Sequence, residues 1–305
     1  MKNNNLTVGT WPDYELLDSG DNKKLERFGP HVLIRPETQA IWKPLRPELW
    51  ESAKAEFHFD GGKGSWSGHG VPETWDISWD DEAKKTDARF SLRLTAFKHT
   101  GVFPEQAPNW EWIVERVKTL TKNAAQGGST SGGKPKVLNL FGYTGIASIV
   151  AAKHGAIVTH LDASKQSNAW AKENAALSSV PTDAIRYITD DALKFVEREA
   201  RRGSIYDGII LDPPAFGRGP DGEVWKIEEN ICTLLDAVKK IFSQKSGSFF
   251  LLNGYAAGYA PQSFLQAVES SFGTIKDGEF GELRIKEIDS TRSISSGIYV
   301  RFVLQ

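Results

Sequence analysis

The sequence predicts an α/β protein in which a mainly parallel sheet carries helices on both faces and follows a small β-rich domain. From about residue 137 onward, apolar runs of strand length alternate with segments of helical periodicity. The first 95 residues instead contain short extended runs separated by glycines. The chain has 305 residues and 40% hydrophobic content, enough for two cores. We therefore expect a β-rich domain over residues 1–95 and the sheet domain over residues 96–305.

The N-terminal domain is predicted from runs rich in β-branched and aromatic residues, with Gly61, Gly62, Gly64, Gly68 and Gly70 as turn residues. The predicted strands are His31–Arg35, Ala53–Phe59, Trp75–Trp79 and Arg89–Thr95. Five tryptophans also lie here: Trp42, Trp50, Trp66, Trp75 and Trp79. Exposed rings of this kind stack on nucleic-acid bases, but we expect most of these to be buried core.

The sheet domain begins with a predicted helix over Trp110–Thr121 and a glycine-serine loop over Gln126–Gly133. The predicted strands are Val137–Leu140, Ile157–Leu161, Ala184–Ile188, Gly208–Leu211 and Ser248–Leu252. Between them we expect helices that run through Ala151, Ala176 and Glu199, and another centred on Leu234–Ile241. The segments Glu282–Ile288 and Gly297–Leu304 are strand-like and suggest a terminal hairpin. This alternation is typical of a doubly wound, Rossmann-like sheet.

Composition excludes several classes of protein. A single cysteine cannot build a disulfide framework, and no export signal or stretch of about 20 apolar residues is present, so we expect a cytoplasmic protein without a membrane span. The six histidines have no zinc-ligand spacing, so no metal is expected. The net charge of -2 gives no global attraction to RNA, which would need a local basic surface. Homo-oligomerisation is left open.

A cofactor site is predicted at the carboxyl ends of the strands. Gly142 and Gly145 follow the first strand as Gly-x-x-Gly, with Tyr143 between them, and lack the third glycine of a dinucleotide fingerprint. Asp162, followed by Ala163, ends the second strand, where a carboxylate can bind ribose hydroxyls. Acids after successive strands suit S-adenosylmethionine, a nucleoside cofactor without phosphate. The alternatives are that the glycines serve packing and that the acids cap helices.

Two further acidic sites complete the prediction. Asp190-Asp191-Ala192 follows the third strand, and Asp191 with the amide of Ala192 is our candidate for the adenine edge. Asp212-Pro-Pro-Ala-Phe216 follows the fourth strand. There Asp212 can hold a nitrogen acceptor of the methyl group, Pro213 and Pro214 can direct carbonyls into the pocket, and Phe216 can stack on a base. The alternative is a simple strand end with Phe216 in the core.

Three segments together resemble the bacterial class I S-adenosylmethionine-dependent large-subunit (23S) ribosomal RNA methyltransferase family. They are Phe97-Lys-His-Thr-Gly-Val-Phe-Pro-Glu-Gln106, Val137-Leu-Asn-Leu-Phe-Gly-Tyr-Thr-Gly145 and Leu211-Asp-Pro-Pro-Ala-Phe216. The resemblance implies that Phe103, Gln106, Phe141 and Gly142 line the cofactor, that Asp162 takes its ribose and Asp191 its adenine, and that Asp212 faces the methyl group.

The chain departs from members that make 5-methylcytosine. Such members look to have a cysteine cluster directly after the fifth strand. This chain has Leu252-Asn-Gly-Tyr-Ala-Ala257 at that place. Its one cysteine, Cys232, lies beside an apolar helical series, and we expect it to be a small packed side chain rather than a nucleophile. We therefore expect methylation of a base nitrogen of ribosomal RNA. The alternatives are a protein or small-metabolite acceptor, or a non-catalytic binding or assembly subunit.

Overall fold

The computed structural model describes residues 1–60, 63–81, 86–125, 133–255 and 258–305, so the predicted Gly61–Gly62 turn and most of the Gln126–Gly133 loop lie outside the described residues. The chain forms two compact units. The N-terminal unit comprises Thr7–Pro108 with Arg284–Ser295, and the C-terminal unit comprises Met1–Leu6, Asn109–Leu283 and Ser296–Gln305. This division differs from the predicted boundary at residues 95 and 96. The end segments join their units through strand pairing, β1 with β17 and Leu16 with Glu287, which local patterns do not report.

The chain starts with two short strands, β1 (Lys2–Asn3) and β2 (Leu6–Thr7). The N-terminal unit then contains a five-stranded sheet and a separate antiparallel hairpin, β8–β9. The strands are β3 (Tyr14–Gly20), β4 (Lys23–Phe28), β5 (His31–Pro36), β6 (Ala55–Asp60), β7 (Lys63–Gly68), β8 (Trp75–Asp81) and β9 (Thr86–Leu92). The predicted β-rich character is confirmed, although β3, β4 and β7 were not predicted.

The tryptophans of this unit divide into two groups. Trp75 and Trp79 are buried, as expected. Trp42, Trp50 and Trp66 are only half-buried, so the expected burial was wrong for them. Each donates a hydrogen bond from its indole N–H: Trp42 to the Ser19 carbonyl, Trp50 to the Asp18 carboxylate and Trp66 to the Thr95 carbonyl. One edge of each ring is therefore tied to the fold by a hydrogen bond, while the side chain stays partly exposed.

The C-terminal unit follows the predicted alternation closely. Its helices are α1 (Ala107–Ala125), which begins in the N-terminal unit, α2 (Ile146–Lys153), α3 (Lys165–Leu177), α4 (Ala192–Arg201), α5 (Ile227–Ile241) and α6 (Pro261–Phe272). Its strands are β10 (Lys136–Leu140), β11 (Ile157–Asp162), β12 (Ile185–Thr189), β13 (Gly208–Leu211), β14 (Phe216–Arg218), β15 (Val224–Lys226) and β16 (Phe249–Gly254), followed by β17 (Gly278–Lys286) and β18 (Ser293–Val303). The β14–β15 hairpin and α6 were not predicted.

The main sheet has the order β1-β17-β18-β16-β13-β10-β11-β12. The strands from β16 to β12 pair in parallel, and β18 pairs antiparallel with β16. The chain leaves β10 toward β11 on one side, whereas β13 lies on the other, so the direction of winding switches between β10 and β13. The predicted Rossmann-like fold is confirmed, and ligands of such sheets bind at this switch point.

One face of the sheet is covered by a large apolar cluster. Leu140, Leu211 and Leu252 of three adjacent strands contribute to it, together with side chains of α4, α5 and α6. Cys232 does not belong to this cluster. It is exposed on α5, so its predicted packing was wrong, because the buried stripe of that helix runs through Leu234, Leu235 and Val238 instead.

Candidate active site

The turn after β10 has an unusual backbone. Phe141 and Tyr143 have φ angles of 59° and 48°, and Gly145 has a φ of 87°. Left-handed conformations at residues with a side chain cost of order 1–3 kcal/mol and cluster at functional sites. The Gly142 amide donates to the Leu161 carbonyl at 2.9 Å, which holds the turn against the end of β11. The turn is therefore fixed at the carboxyl edge, beside the switch point.

The two glycines of this turn are required by packing. A Cβ at Gly142 would lie 2.3 Å from the His160 ring, and one at Gly145 would lie 2.8 Å from the Cβ of Ala171. His160 is fully buried, and Ser148 Oγ lies 2.9 Å from its Nδ1. Burial lowers the pKa of His160 to about 4, so the ring is neutral at pH 7. The packing alternative thus accounts for both glycines, and cofactor contact by Gly142 and Gly145 stays a prediction.

Asp162 connects this turn to the end of β11. Its Oδ2 accepts the Tyr143 amide at 2.9 Å and its Oδ1 accepts the Ser164 amide at 2.8 Å. Burial raises the pKa of Asp162, and these two hydrogen bonds act in the opposite direction. The helix-cap alternative does not hold, because Ser164 caps α3 by accepting the Ser167 amide. Each carboxylate oxygen can accept a second hydrogen bond, so Asp162 can also bind a pair of ribose hydroxyls.

Asn168 of α3 is a polar member of the site that the sequence did not reveal. Its Nδ2 donates to the Asp162 carbonyl at 3.2 Å, the Ile188 carbonyl at 3.1 Å and Thr189 Oγ1 at 2.9 Å. The side chain is buried and ties the end of β11 to the end of β12. A polar residue within a helix is common, so no local signal distinguishes it.

Asp191 caps a helix, as the alternative to cofactor binding predicted. Its Oδ1 accepts the Lys194 amide at 2.9 Å and caps α4. The preceding Asp190 pairs with Arg198, and the Ala192 side chain is buried in the apolar cluster. The capping bond occupies one acceptor position of Asp191, and no contact in the structure shows a ligand at this carboxylate or at the Ala192 amide, so adenine binding there stays a prediction. Ala163 is half-exposed beside Asp162.

The Asp212 corner lies at the switch point. The Asp212 amide donates to the Leu140 carbonyl at 3.3 Å, which joins the ends of β13 and β10. Pro213 is buried. The carbonyl of Pro214, which was predicted to face a ligand, accepts the Trp225 indole N–H at 2.7 Å. The Trp225 ring lies 5.0 Å from the Phe141 ring, so one buried side chain supports both the turn and the corner.

The β14–β15 hairpin extends from this corner. Phe216 pairs with Lys226, and Arg218 pairs with Val224, so these four side chains share the face opposite Trp225. Phe216 is 57% exposed and Val224 is 51% exposed. The alternative that Phe216 packs in the core is therefore excluded. The outer face combines an aromatic ring with two cationic side chains, of which Lys226 is paired with Glu229 at 2.7 Å.

Phe103 and Gln106 belong to the N-terminal unit, where both are half-buried. The Phe103 ring lies 5.0 Å from the His99 ring. Their cofactor contact stays a prediction. Within the described part of the chain, no three side chains are grouped as metal ligands, and no helix is both long and apolar enough to cross a bilayer.

The C-terminal unit thus brings the predicted Phe141–Gly145 turn, Asp162 and the Asp212 corner to one edge of one sheet. Sequence reasoning missed Trp225, Asn168 and His160, which support these groups from behind. The arrangement offers a carboxylate for a nucleoside, a second carboxylate at the switch point and an exposed aromatic ring beside it.

Comparison with solved structures shows a similar protein over nearly the full chain. A SAM-dependent methyltransferase from Agrobacterium tumefaciens is 38% identical, with a TM-score of 0.86, and the match covers 99% of this chain and 93% of that chain. A candidate SAM-dependent methyltransferase from Streptococcus mutans is 18% identical with a TM-score of 0.66, over 97% and 76% of the two chains, which supports the fold alone.

Curated relatives match over a shorter region. Ribosomal RNA large subunit methyltransferase K/L from Shewanella sp. (strain ANA-3) is 33% identical over 169 residues, and that from Pseudoalteromonas translucida is 31% identical over 168 residues. These matches cover 54% of this chain but only 22% and 21% of the relatives, so the chain spans about a fifth of their length. No protein-family profile matches the chain.

Proposed function

Since the chain belongs to the S-adenosylmethionine-dependent methyltransferases, as the near full-length match to the Agrobacterium protein shows, we propose that it methylates a base nitrogen of ribosomal RNA. The class of enzyme and the cofactor predicted from the sequence are confirmed by that match. The acceptor is the proposed part. The observation that carries it is the Asp212 corner with the exposed Phe216 beside it.

The residues at the carboxyl edge fit the cofactor. Asp162 has an acceptor position left on each oxygen, and the turn over Phe141–Gly145 is fixed next to it. We assign the ribose to Asp162, the adenine to Asp191 and the amide of Ala192, and the adjoining surface to Phe141 and Tyr143. S-adenosylmethionine supplies a methyl group on a positively charged sulfur, and the electrons of the broken C–S bond stay on that sulfur.

The chain's own residues orient the acceptor. We assign to the Asp212 carboxylate the N–H of the acceptor nitrogen, which aligns the nitrogen lone pair for in-line attack. As the N–C bond forms, the nitrogen loses a proton, for which Asp212 is the acceptor. Phe216 stacks on the base that is drawn into the site. No thiol is needed, because attack by nitrogen forms no covalent intermediate with the enzyme.

RNA is favoured as the acceptor by two observations. The curated relatives are ribosomal RNA methyltransferases, although this chain spans only about a fifth of them. The outer face of the β14–β15 hairpin places Arg218 and Lys226 with Phe216, and a cation beside a stacking ring suits a nucleotide. Since the overall charge is -2, RNA binding needs such local positive charge, which Arg218 supplies most directly because Lys226 is paired with Glu229 at 2.7 Å. Such a substrate would place the enzyme in the cytoplasm.

The decisive experiment incubates the protein with methyl-labelled S-adenosylmethionine and, separately, with the RNA, protein and small-metabolite fractions of cells lacking the enzyme. We expect label in ribosomal RNA, on a base nitrogen, and steep inhibition by added salt, because phosphate contacts release counterions. Label in the protein or metabolite fraction instead would refute the RNA proposal and identify the alternative acceptor.

Two variants separate the proposed roles. Asp212→Ala should abolish turnover and leave cofactor affinity within about tenfold, because its role concerns the acceptor and the transition state. Asp162→Ala should mainly weaken cofactor binding. Calorimetry with S-adenosylmethionine and the labelling assay measure the two effects. Full activity of Asp212→Ala, or unchanged cofactor affinity of Asp162→Ala, would contradict the assignments.

A further inference from the structure

A chain of buried polar side chains crosses the C-terminal unit behind the switch point. Arg301 of β18 donates from Nη1 to Asn109 Oδ1 at 3.0 Å, and Asn109 donates from Nδ2 to Asn253 Oδ1 at 2.8 Å. All three side chains are buried. Arg301 is also fixed by an ion pair with Glu279 at 3.0 Å. Polar groups are costly to bury, so a connected chain of this kind needs an explanation.

The chemistry of the arginine fixes the direction of every bond in this chain. A guanidinium group only donates, so the Asn109 atom that faces Arg301 must be the oxygen. The Asn109 nitrogen then faces Asn253, whose facing atom must in turn be an oxygen. The amide of Asn253 therefore cannot rotate by 180° without losing its partner. Its Nδ2, with two N–H donors, is the end directed away from Asn109.

Asn253 is the neighbour of Asp212 at the edge of the sheet. Leu211 of β13 pairs in parallel with Leu252 of β16, so the residues that follow them are side by side. Leu211 and Leu252 both face the apolar cluster, and side chains alternate along a strand, so Asp212 and Asn253 share the opposite face. Adjacent strands lie about 4.8 Å apart. This register places the fixed amide donor of Asn253 on the strand end next to that of Asp212, one strand from the switch point.

We propose that Asn253 contacts the acceptor base, donating from Nδ2 to an unprotonated ring nitrogen while Asp212 accepts the neighbouring amino N–H. This inference rests on the proposed function and specifies its substrate class. The matching edge is an amino group bonded to the carbon next to an unprotonated ring nitrogen, which adenine, cytosine and guanine have and uracil lacks. Asn109 and Arg301 are positioning residues that hold the Asn253 amide in the donating direction.

The direct test is Asn253→Asp, which keeps the shape and replaces the donor by an acceptor. We expect kcat/KM for RNA to fall about 10- to 100-fold, as for a lost hydrogen bond that leaves a polar group unpaired, with cofactor affinity within about threefold. The matched control is Gln266→Glu, which adds the same charge at an exposed position of α6. Activity of Asn253→Asp within twofold of this control, or an equal loss of cofactor affinity, would overturn the inference.

A second variant tests the direction of the chain without disturbing the site residue. Asn109→Asp keeps an acceptor for Arg301, and so keeps the buried charge paired, but presents oxygen to Asn253. The Asn253 amide should then rotate and present its oxygen to the acceptor base. We expect kcat to fall about tenfold at unchanged cofactor affinity and unchanged melting temperature. An Asn109→Asp enzyme as active as the unmodified protein would overturn the positioning role.

The labelled product distinguishes failure of this inference from failure of the proposed function. If the unmodified enzyme labels RNA, digestion to nucleosides should place the label on adenosine, cytidine or guanosine. Label on uridine would overturn the substrate class while the RNA proposal survives. If the unmodified enzyme labels only protein or metabolites, the proposed function fails first, and the predicted base contact of Asn253 fails with it.

Discussion

Replacing Gly142 by alanine tests whether the cofactor turn is held by the ring beneath it. The added Cβ would lie 2.3 Å from Cε1 and 2.5 Å from Nδ1 of His160. The ring cannot retreat easily, because Ser148 Oγ is 2.9 Å from Nδ1 and itself accepts from Asn139 Nδ2 at 2.9 Å. The turn must therefore move outward by roughly 1 Å to restore ordinary van der Waals contact.

The magnitude follows from overpacking of a closed core. Inserting one methyl group where the surroundings cannot adjust costs about 1–3 kcal/mol. At roughly 2–4 °C for each kcal/mol, the melting temperature should fall by several degrees. The displacement should also lengthen the bond from the Tyr143 amide to Asp162, and we expect cofactor affinity to fall about tenfold or more. Calorimetric melting and titration with S-adenosylmethionine measure the two effects.

The control and the rescue make the experiment specific. Gly9→Ala adds the same methyl group where no atom lies within 4 Å, and should leave both quantities unchanged. His160→Ala removes the ring, so the double variant with Gly142→Ala should be less destabilised than the sum of the two single variants. Strict additivity, or a Gly142→Ala protein that melts and binds like Gly9→Ala, would refute the reasoning.

Three further outcomes are expected. The pKa of His160 is about 4 in the folded protein against about 6.5 when unfolded, so the unfolded state binds more protons between these values. The free energy of unfolding should therefore fall as the pH drops below 6.5. Measured by urea unfolding, its decrease from pH 7 to pH 5 should be about 2 kcal/mol smaller in His160→Gln than in the unmodified protein. Trp225→Phe removes the donor to the Pro214 carbonyl, so it should lower the free energy of unfolding by about 1 kcal/mol and reduce kcat more than cofactor affinity. A kcat equal to that of the unmodified enzyme would argue against support of the corner by Trp225. Burial alone would raise the pKa of Glu26, but the Arg35 guanidinium, 2.7 Å away, and the Lys24 ammonium lower it to about 2. Because the substitution leaves Arg35 without its buried partner, Glu26→Gln should destabilise the N-terminal unit by about 3–5 kcal/mol in thermal melting. A change under about 1 kcal/mol would contradict a paired buried charge.

The sequence predicted those features that depend on local periodicity. The parallel strands were placed within a few residues, and because a parallel sheet aligns its carboxyl ends, the positions of Asp162 and Asp212 at one edge followed. The role of a single acid did not follow. Asp162 and Asp191 both come after strands, yet Ser164 caps the helix after the first and Asp191 caps the helix after the second.

The remaining features depend on pairing between distant residues. The β14–β15 hairpin was missed because Gly217, Gly219 and Gly222 make its sequence resemble a loop, and only the register puts Trp225 on the inner face. The chain from Arg301 through Asn109 to Asn253 joins residues far apart in the sequence, each unremarkable alone. Cys232 was placed in the core because its neighbours are apolar, whereas the helix turns it to solvent.

The exchange of segments between the two units has a consequence for how the protein forms during synthesis. The N-terminal unit needs Arg284–Ser295, where Glu287 bridges to Leu16, and the C-terminal unit needs Met1–Leu6, whose β1 pairs with β17. Neither unit is a continuous stretch of chain, so neither can be completed on the ribosome until almost the whole polypeptide has emerged. Fragments cut between residues 95 and 109 should consequently yield two incomplete, aggregation-prone halves instead of two independent modules.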